Sequence, residues 1–303
     1  MATIGEPFIG TEAVASGEFT RRTLKSRADL VYRNVYLPPG TELTPTNRAI
    51  AAWLWSGRTA TVAGRSAAAL LGSEWIEADE PAELTRTQAT NSTIVIYRER
   101  LRDDEVCEVR GIPTTSPART AFDLGRRPGL RTALANVDAL ANATGLTAAQ
   151  VNSVSLQHKG ARGIVQLRDV VDLMDGGAES PQETHTRLIL VESGLRRPVT
   201  QIRVYDRWGV AFARIDMGWP EFKVGVEYDG PQHWTDPERR SRDIDRYAEL
   251  AALGWILIRV NADMLYKRPW VIVQRVVAAL RDRGCPCPPS VGFGHASRSF
   301  ALR

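Results

Sequence analysis

Three carboxylate residues stand near the ends of two neighbouring apolar segments in the C-terminal half of the chain. Asp216 closes the first segment, and Glu227 and Asp229 close the second. Residues two apart in a β-strand project from the same face, so Glu227 and Asp229 would lie side by side. If the segments pair as adjacent strands, the three carboxylates meet. Such a group requires a cation, and oxygen ligands favour Mg²⁺ or Mn²⁺. The pattern predicts that Asp216, Glu227 and Asp229 bind a metal for phosphodiester hydrolysis.

A structural ion-pair network is the alternative explanation for the same carboxylates. Charges inside an otherwise apolar strand such as 224–229 are costly unless they are paired or bind a metal. Arginines follow in the sequence, beginning at Arg239. The residues alone leave both explanations open.

Four segments resemble, in order, the PD-(D/E)xK nuclease superfamily, and within it the very-short-patch mismatch-repair endonucleases. They are Ser180-Pro-Gln-Glu183 before an apolar helix, Ile215-Asp216, the strand that carries Glu227, and Leu253-Gly254-Trp255-Ile256-Leu257. The resemblance implies a metal-dependent DNA endonuclease whose restriction-endonuclease-like α/β domain, residues 180–285, has a mixed central sheet. Its strands are expected at Gln201–Tyr205, Ala211–Met217, Lys223–Tyr228 and Trp255–Val260.

The resemblance also bears on proton transfer. Many members of the superfamily carry Lys two positions after the residue equivalent to Glu227, where this chain has Asp229. Lys223 lies four positions before Glu227, on the same face of the expected strand. His233 follows a predicted turn just after the acidic strand. Either residue could replace the missing Lys in catalysis.

Glu183 has two interpretations. By resemblance it is the first acidic residue of the superfamily, which would bind metal or organise water. By spacing it completes the capping box Ser180-x-x-Glu183, in which its carboxylate would bond back to the helix cap. The sequence leaves both interpretations open.

The segment 238–253 predicts a helix with a basic flank. Positions i, i+3 and i+7 lie along one side of a helix, and here they are occupied by Arg239, Arg242 and Arg246. These arginines could clamp the scissile strand through bidentate phosphate bonds, although a solvated charged face has the same pattern. The apolar periodicity places four residues on the inner face: Ile244, Tyr247, Ala248 and Ala251.

Charge is distributed unevenly along the chain. Its 303 residues carry 39 Lys and Arg against 35 Asp and Glu, a net charge of +4. Residues 1–178 hold 20 of each kind, so the excess lies in residues 179–303, with 19 against 15. Arg-rich surfaces suit phosphate recognition, which makes DNA an expected partner. A solvated basic surface would give the same count.

Composition also predicts the compartment. No apolar stretch approaches the roughly 20 residues of a membrane span, and the N-terminus has neither the basic nor the apolar segment of a secretory signal. Cys107, Cys285 and Cys287 cannot all pair, and the last two are too close for an ordinary bridge. We expect free thiols, a cytoplasmic location and no membrane partner.

The N-terminal half, residues 1–175, predicts an α+β domain. A helix precedes one alternating strand, Leu30–Leu37, which Pro38 stops. Ser116 and Pro117 open a later helix as cap and first residue. The segment Asp175–Glu179 is the expected linker, and residues 286–303 are the expected flexible tail. Further helices are expected at Asn47–Trp55, Arg65–Leu71 and near 131–141, 147–158 and 160–174, and strands at Ser92–Tyr97 and Val106–Val109.

Three pieces of this half, residues 33–37, 65–72 and 111–120, resemble antitoxins of type IV toxin–antitoxin systems of the abortive-infection class, which begin with a winged helix. The resemblance implies a winged-helix-containing domain that binds DNA or protein. Its expected phosphate contacts are Arg21, Arg22, Lys25 and Arg27. An exposed basic helix face is the alternative for these four residues.

Two functions are compatible with these patterns. The first is a Mg²⁺- or Mn²⁺-dependent endonuclease that an N-terminal DNA-binding domain targets to its substrate. The second is a non-catalytic DNA-binding transcriptional regulator or antitoxin with a degenerate nuclease fold. The expected partners are DNA and either a toxin or a repair or defence protein.

Overall fold

The computed structural model describes residues 5–87, 93–230 and 237–286, with the side chains of residues 237–242 outside the description. The chain divides into two compact units, Met1–Gly176 and Gly177–Arg303. The division falls between two glycines, which have no side chain to pack. Within the described ranges no helix has the length and apolar character needed to cross a membrane.

The first unit opens with a small antiparallel sheet and two short helices. In chain order the elements are β1 Phe8–Ile9, α1 Gly10–Ala15, α2 Arg21–Arg27, β2 Asp29–Tyr32 and β3 Val35–Leu37. The strands lie in the order β1-β3-β2. Thr20 begins α2 with a reciprocal cap, because its hydroxyl accepts the Thr23 N–H and the Thr23 hydroxyl accepts the Thr20 N–H. The basic residues of α2 are exposed, whereas Leu24 is buried.

The prediction of one strand over Leu30–Leu37 is wrong, because the segment forms a hairpin. The chain reverses between Tyr32 and Val35, with Asn34 in the left-handed region at φ 64. Asn enters that region more readily than most residues. The apolar alternation continues across the turn and therefore did not indicate it.

Residues 45–173 form a mixed five-stranded sheet with helices. The strand order is β6-β5-β4-β8-β7, and the pairs β5–β6 and β4–β8 are parallel. As predicted, Ser116 caps a helix by accepting the Arg119 N–H. The elements are α3 Pro45–Trp55, β4 Thr61–Val62, α4 Gly64–Leu70, β5 Ala82–Thr85, β6 Ile94–Tyr97, β7 Val106–Val109, β8 Ile112–Thr115, α5 Pro117–Gly125, α6 Leu130–Thr144, α7 Ala148–Gln157 and α8 Ile164–Leu173.

The buried guanidinium of Arg119 connects α5 to Glu105, the residue just before β7. Arg119 is 1% exposed and donates from Nε to Asp123 at 2.8 Å and from Nη1 to Glu105 at 2.9 Å. The opposite Glu105 oxygen contacts His158, which follows α7. A buried charge is tolerated when it is paired and hydrogen-bonded, as it is here. The network joins segments that are far apart in sequence.

The second unit is a mixed sheet flanked by helices. The strand order is β12-β11-β10-β9, with β11 and β12 parallel and the other pairs antiparallel. The helix between β11 and β12 is the crossover that a parallel pair requires. The predicted mixed central sheet is confirmed. The elements are α9 Pro181–Glu192, β9 Val199–Tyr205, β10 Ala211–Trp219, β11 Val224–Tyr228, α10 Pro237–Ala252, β12 Ile256–Val260, α11 Ala262–Lys267 and α12 Pro269–Asp282.

Two apolar clusters cover the two faces of this sheet. Met217 of β10 packs with α9 and α12, whereas Ile215 packs with α10 and with Leu257 of β12. In a regular strand, residues two apart share a face. Ile215 and Met217 are two residues apart but pack on opposite faces of the sheet, so β10 is not a regular strand at Asp216.

The predicted inner face of α10 is wrong in part. Tyr247 is inward, but Ile244 is 62% exposed, and Ala248 and Ala251 are also exposed. Leu250, which was not predicted, is fully buried. The helix turns Arg246 and Tyr247 towards a carboxylate of the sheet, and a purely apolar periodicity does not anticipate a polar inner face.

Candidate active site

Asp216 is fixed at the end of the β10–β11 ladder. Met217 and Val226 are the last pair on this side of the ladder, and beyond them Asp216 Oδ2 accepts the Tyr228 backbone N–H at 2.8 Å. Burial, followed by the charges of Glu183 and Glu227, raises the pKa of Asp216 to about 7 from its ordinary 3.8. A carboxyl group with this pKa can exchange a proton at neutral pH.

Glu183 forms capping contacts at the start of α9, and its carboxylate also lies within electrostatic reach of Asp216. It stands in the first turn of α9, where the Ser180 hydroxyl accepts its N–H at 3.2 Å. Its carboxylate accepts the Ser180 hydroxyl at 2.9 Å and the Glu179 N–H at 3.0 Å. Burial raises the pKa of Glu183, and its charge in turn acts on Asp216. The helix start thus also positions a carboxylate beside Asp216.

Glu227 is a buried carboxylate held by two residues of α10. It is 6% exposed, and Arg246 donates to both its oxygens, from Nη1 at 2.8 Å and from Nη2 at 3.0 Å. The Tyr247 hydroxyl adds a third bond at 3.0 Å. A bidentate arginine pair fixes both position and orientation. Arg246, which was predicted to bind DNA, is therefore committed to Glu227 in this structure.

Asp229 pairs with an arginine, whereas the sequence predicted that it would bind a metal beside Glu227. Its carboxylate is bonded by Arg259 of β12. The guanidinium carbons of Arg246 and Arg259 lie 4.5 Å and 4.9 Å from the centroid of the Tyr247 ring. Both arginines can therefore interact with the ring as cations while they pair with a carboxylate.

The predicted three-ligand cluster of Asp216, Glu227 and Asp229 is not formed. Across residues 5–87, 93–230 and 237–286, no group of three or more His, Cys, Asp or Glu side chains is arranged to hold a metal ion. The physical reason is that Glu227 and Asp229 are each turned towards an arginine. The carboxylate that acts on Asp216 together with Glu227 is Glu183.

The expected placement of Lys223 is also wrong. The residue lies before β11, in the left-handed region at φ 51, and its Nζ donates to the Leu253 carbonyl at 2.9 Å. It therefore joins the start of β11 to the end of α10. Its catalytic role stays a prediction that this geometry does not support.

Three predicted site residues cannot be placed. His233 lies outside the described residues, and the side chains of Arg239 and Arg242 in α10 are also outside them. Sequence reasoning missed Gln201, whose side-chain amide donates to Glu183 at 3.3 Å, and Arg259. No distinct signal in the sequence pointed to Gln201, because the segment 199–205 also contains the polar residues Thr200 and Arg203.

In the first unit, α2 presents the basic residues that the sequence singled out. Arg21, Arg22 and Lys25 are exposed, while Leu24 is buried beneath them. Beside them lies an open cavity of about 670 Å³, which Asn34 of the β2–β3 turn also lines. The helix and the hairpin turn thus share one basic surface.

Comparison with known proteins confirms the resemblances of both halves. Residues 191–280 match the restriction-endonuclease-like family model REase_MTES_1575, and residues 61–173 match AbiEi_1, the AbiEi antitoxin C-terminal domain. The segment expected to form the winged helix, residues 15–75, lies mostly before the second matched range and overlaps it at residues 61–75.

Two relatives extend this comparison. Both are uncharacterized proteins of Mycobacterium tuberculosis, from strains CDC 1551 and H37Rv, and each is 30% identical to the chain over 172 residues. The match covers 57% of this chain and 63% of each relative, so the chain spans less than two thirds of their length. No solved structure matches the chain.

Proposed function

We propose that the C-terminal unit is a divalent-metal-dependent endodeoxyribonuclease and that the N-terminal unit targets it to DNA. The supporting observation is the approach of three carboxylates, Glu183, Asp216 and Glu227, from one helix and two strands. Their repulsion, added to burial, raises the pKa of Asp216 to about 7. Strongly perturbed carboxyl groups are concentrated at functional sites. The restriction-endonuclease-like match of residues 191–280 supports the same function.

The chemistry of these residues fits a divalent cation. Carboxylate oxygens are the ligands that Mg²⁺ and Mn²⁺ prefer, and among the described residues Asp216 has no ion-pair partner of its own. Asp216 and Glu183 would hold the ion, whereas Glu227 is bonded to Arg246 and Asp229 to Arg259. When bound, such an ion would lower the pKa of water and neutralise charge that builds on the phosphate.

The chain's own residues have separate tasks in this proposal. The Tyr228 N–H holds one oxygen of Asp216, and Arg246 with Tyr247 orients Glu227. Without a bound ion the pKa of Asp216 is about 7, so binding of a divalent ion near neutral pH would release a proton from this carboxyl group. His233 is the remaining sequence-based candidate for a proton donor, since the Lys223 amine is bonded to a backbone carbonyl.

The proposed DNA-binding surface is formed by α2 and the β2–β3 hairpin. Support for a winged helix comes from the order β1-α1-α2-β2-β3, with β3 between the other strands, because a winged helix places its recognition helix before the hairpin that forms the wing. Arg21, Arg22 and Lys25 would contact phosphates from α2. Such contacts supply affinity and position rather than sequence preference.

The experiment is a divalent-ion titration with the full-length chain and labelled duplex and single-stranded DNA. We expect cleavage that needs Mg²⁺ or Mn²⁺ and stops in excess chelator. Asp216→Asn and Glu227→Gln should each lower the rate by at least about 10²-fold while DNA binding persists. The control is Glu249→Gln, on the exposed side of α10. Wild-type cleavage by Asp216→Asn, or cleavage in chelator, contradicts the proposal.

A second candidate is a non-catalytic DNA-binding regulator of antitoxin type. Two observations favour it. The Glu227 and Asp229 carboxylates are each bonded to an arginine, as in a structural ion-pair network. In addition, residues 61–173 match an antitoxin domain. Its partner would be a toxin or a repair or defence protein. A pure protein that binds DNA but never cuts it with Mn²⁺ would select this candidate over the nuclease.

A further inference from the structure

Gln201 has a backbone conformation that its surroundings must enforce. It lies inside β9 at φ 51, in the left-handed region that residues with a side chain avoid. Its neighbours along β9 pair with β10 as Thr200 with Met217 and Ile202 with Ile215. Gln201 is therefore at the register position of Asp216. Strained residues of this kind are concentrated where a fold positions functional groups.

The side chain of Gln201 reaches the carboxylate next to Asp216. Its Nε2 donates to Glu183 Oε2 at 3.3 Å, and the Glu179 N–H donates to the same oxygen at 3.0 Å. The amide therefore completes a set of donors that hold the Glu183 carboxylate. Groups that orient metal-binding carboxylates in this way are commonly required for full affinity.

The other polar atom of the same amide has no partner in the described residues. Gln201 Oε1 is buried and accepts no hydrogen bond there. A buried acceptor without a donor is costly, and a missing ion or water is a common explanation. A neutral amide oxygen is also an acceptable ligand for a hard divalent cation. The unpartnered atom lies beside the carboxylates that would hold such a cation.

We propose that Gln201 is a positioning residue of the metal site, an inference that rests on the proposed nuclease function. Its amide nitrogen orients the Glu183 carboxylate through a hydrogen bond, and its amide oxygen is a neutral ligand of the divalent ion. The left-handed backbone of β9 turns the side chain towards Asp216 and Glu183. This role explains the strain, the bond to Glu183 and the unpartnered oxygen together.

The test measures Mn²⁺ binding to the full-length protein by calorimetry, without DNA. Gln201→Gly removes the amide and suits a positive φ, so the apo protein should melt at or above the wild-type temperature. Its Kd for Mn²⁺ should rise by about 10- to 100-fold. Gln201→Glu keeps an oxygen at this position and should bind Mn²⁺ at least as tightly as Gln201→Gly. The control is Arg203→Gly, which places glycine at an exposed position of the same strand and should leave the Kd unchanged.

The outcomes separate the two proposals. If wild type binds Mn²⁺ and cuts DNA while Gln201→Gly binds Mn²⁺ within twofold of wild type, the role of Gln201 is overturned and the nuclease stands. If wild type neither binds Mn²⁺ nor cuts DNA, the nuclease proposal fails and the role of Gln201 fails with it. Equal weakening by Arg203→Gly would trace the effect to a looser β9 and also overturn the role.

Discussion

Asp216 should make the stability of the protein depend on pH. Its folded pKa of about 7 lies above its ordinary 3.8, so the folded state retains a proton that the unfolded chain loses first. Stability should therefore fall as pH rises from about 4 to 7. Asp216→Asn should flatten this fall and raise the melting temperature at pH 8, by about 2–4 °C per kcal/mol. Thermal melts from pH 5 to pH 8 measure both effects.

The matched control for this prediction is Asp282→Asn, an exposed carboxyl group at the end of α12. It should keep the wild-type slope. A divalent ion added at pH 8 should stabilise wild type more than Asp216→Asn, because the ion relieves the repulsion that the substitution has already removed. Parallel melting curves for wild type and Asp216→Asn would show that Asp216 does not carry the raised pKa.

The bond between Arg246 and Glu227 should be worth more than a surface ion pair. Arg246→Ala leaves a buried carboxylate without its partner and should reduce the free energy of unfolding by up to about 3 kcal/mol. Adding Glu227→Gln should recover part of this loss. A double-mutant cycle in urea measures the coupling, and the exposed pair Arg196–Glu221 is the comparison, at about 0–1 kcal/mol. Equal coupling for the two pairs would show that the burial of Glu227 adds nothing.

At the scale of the element, α10 should tolerate a charge where the apolar pattern would forbid it. Ile244 is 62% exposed, so Ile244→Asp should change the free energy of unfolding by only about 0.5 kcal/mol. Leu250 is fully buried, and Leu250→Ala should cost about 2–5 kcal/mol. Denaturant unfolding compares the two. If Ile244→Asp reduced the free energy of unfolding more than Leu250→Ala, Ile244 would lie on the inner face of α10, as the apolar pattern predicted.

The same helix shows what the sequence could and could not predict. Apolar runs and the superfamily resemblance together located all four strands of the second unit within a few residues, because a buried strand has a local sequence pattern. The orientation of α10 depends on bonds from Arg246 and Tyr247 to a strand about twenty residues earlier, and periodicity does not report such long-range pairs. The left-handed backbone of Gln201 could not be predicted from the sequence for a related reason. A positive φ at a residue other than glycine is imposed by tertiary contacts.

The candidate site was predictable in its residue types but not in its partners. Asp216 and Glu227 are brought within electrostatic reach of each other, and Glu183 joins them as the superfamily resemblance suggested. The strand alternation predicted that Asp229 lies beside Glu227. It could not show that Arg259 of the parallel strand β12 would form an ion pair with Asp229. Pairing across β11 and β12 requires the sheet order, which the sequence does not state.

For the whole molecule, DNA affinity should depend on salt through the N-terminal unit. Replacing Arg21, Arg22 and Lys25 with Ala should make the plot of log K against log salt shallower by about 0.9 for each phosphate that the variant no longer neutralises. Fluorescence anisotropy with a labelled duplex at several salt concentrations measures this slope. Replacing the exposed Lys159, Arg162 and Arg168 removes the same charge from another part of the unit and is the control. If both triple variants have the same slope, net charge rather than α2 sets the affinity.

The left-handed backbone of Gln201 in β9 has a consequence for solubility. β9 is an edge strand of seven residues, and a long flat edge offers unpaired backbone groups on which a strand of another chain can add. The left-handed residue interrupts that row near its middle, and the exposed Arg203 places a charge beside it. A regular strand at this position would be open to edge-to-edge aggregation along its full length, so we expect the irregular backbone beside the carboxylates to limit such association in concentrated solution.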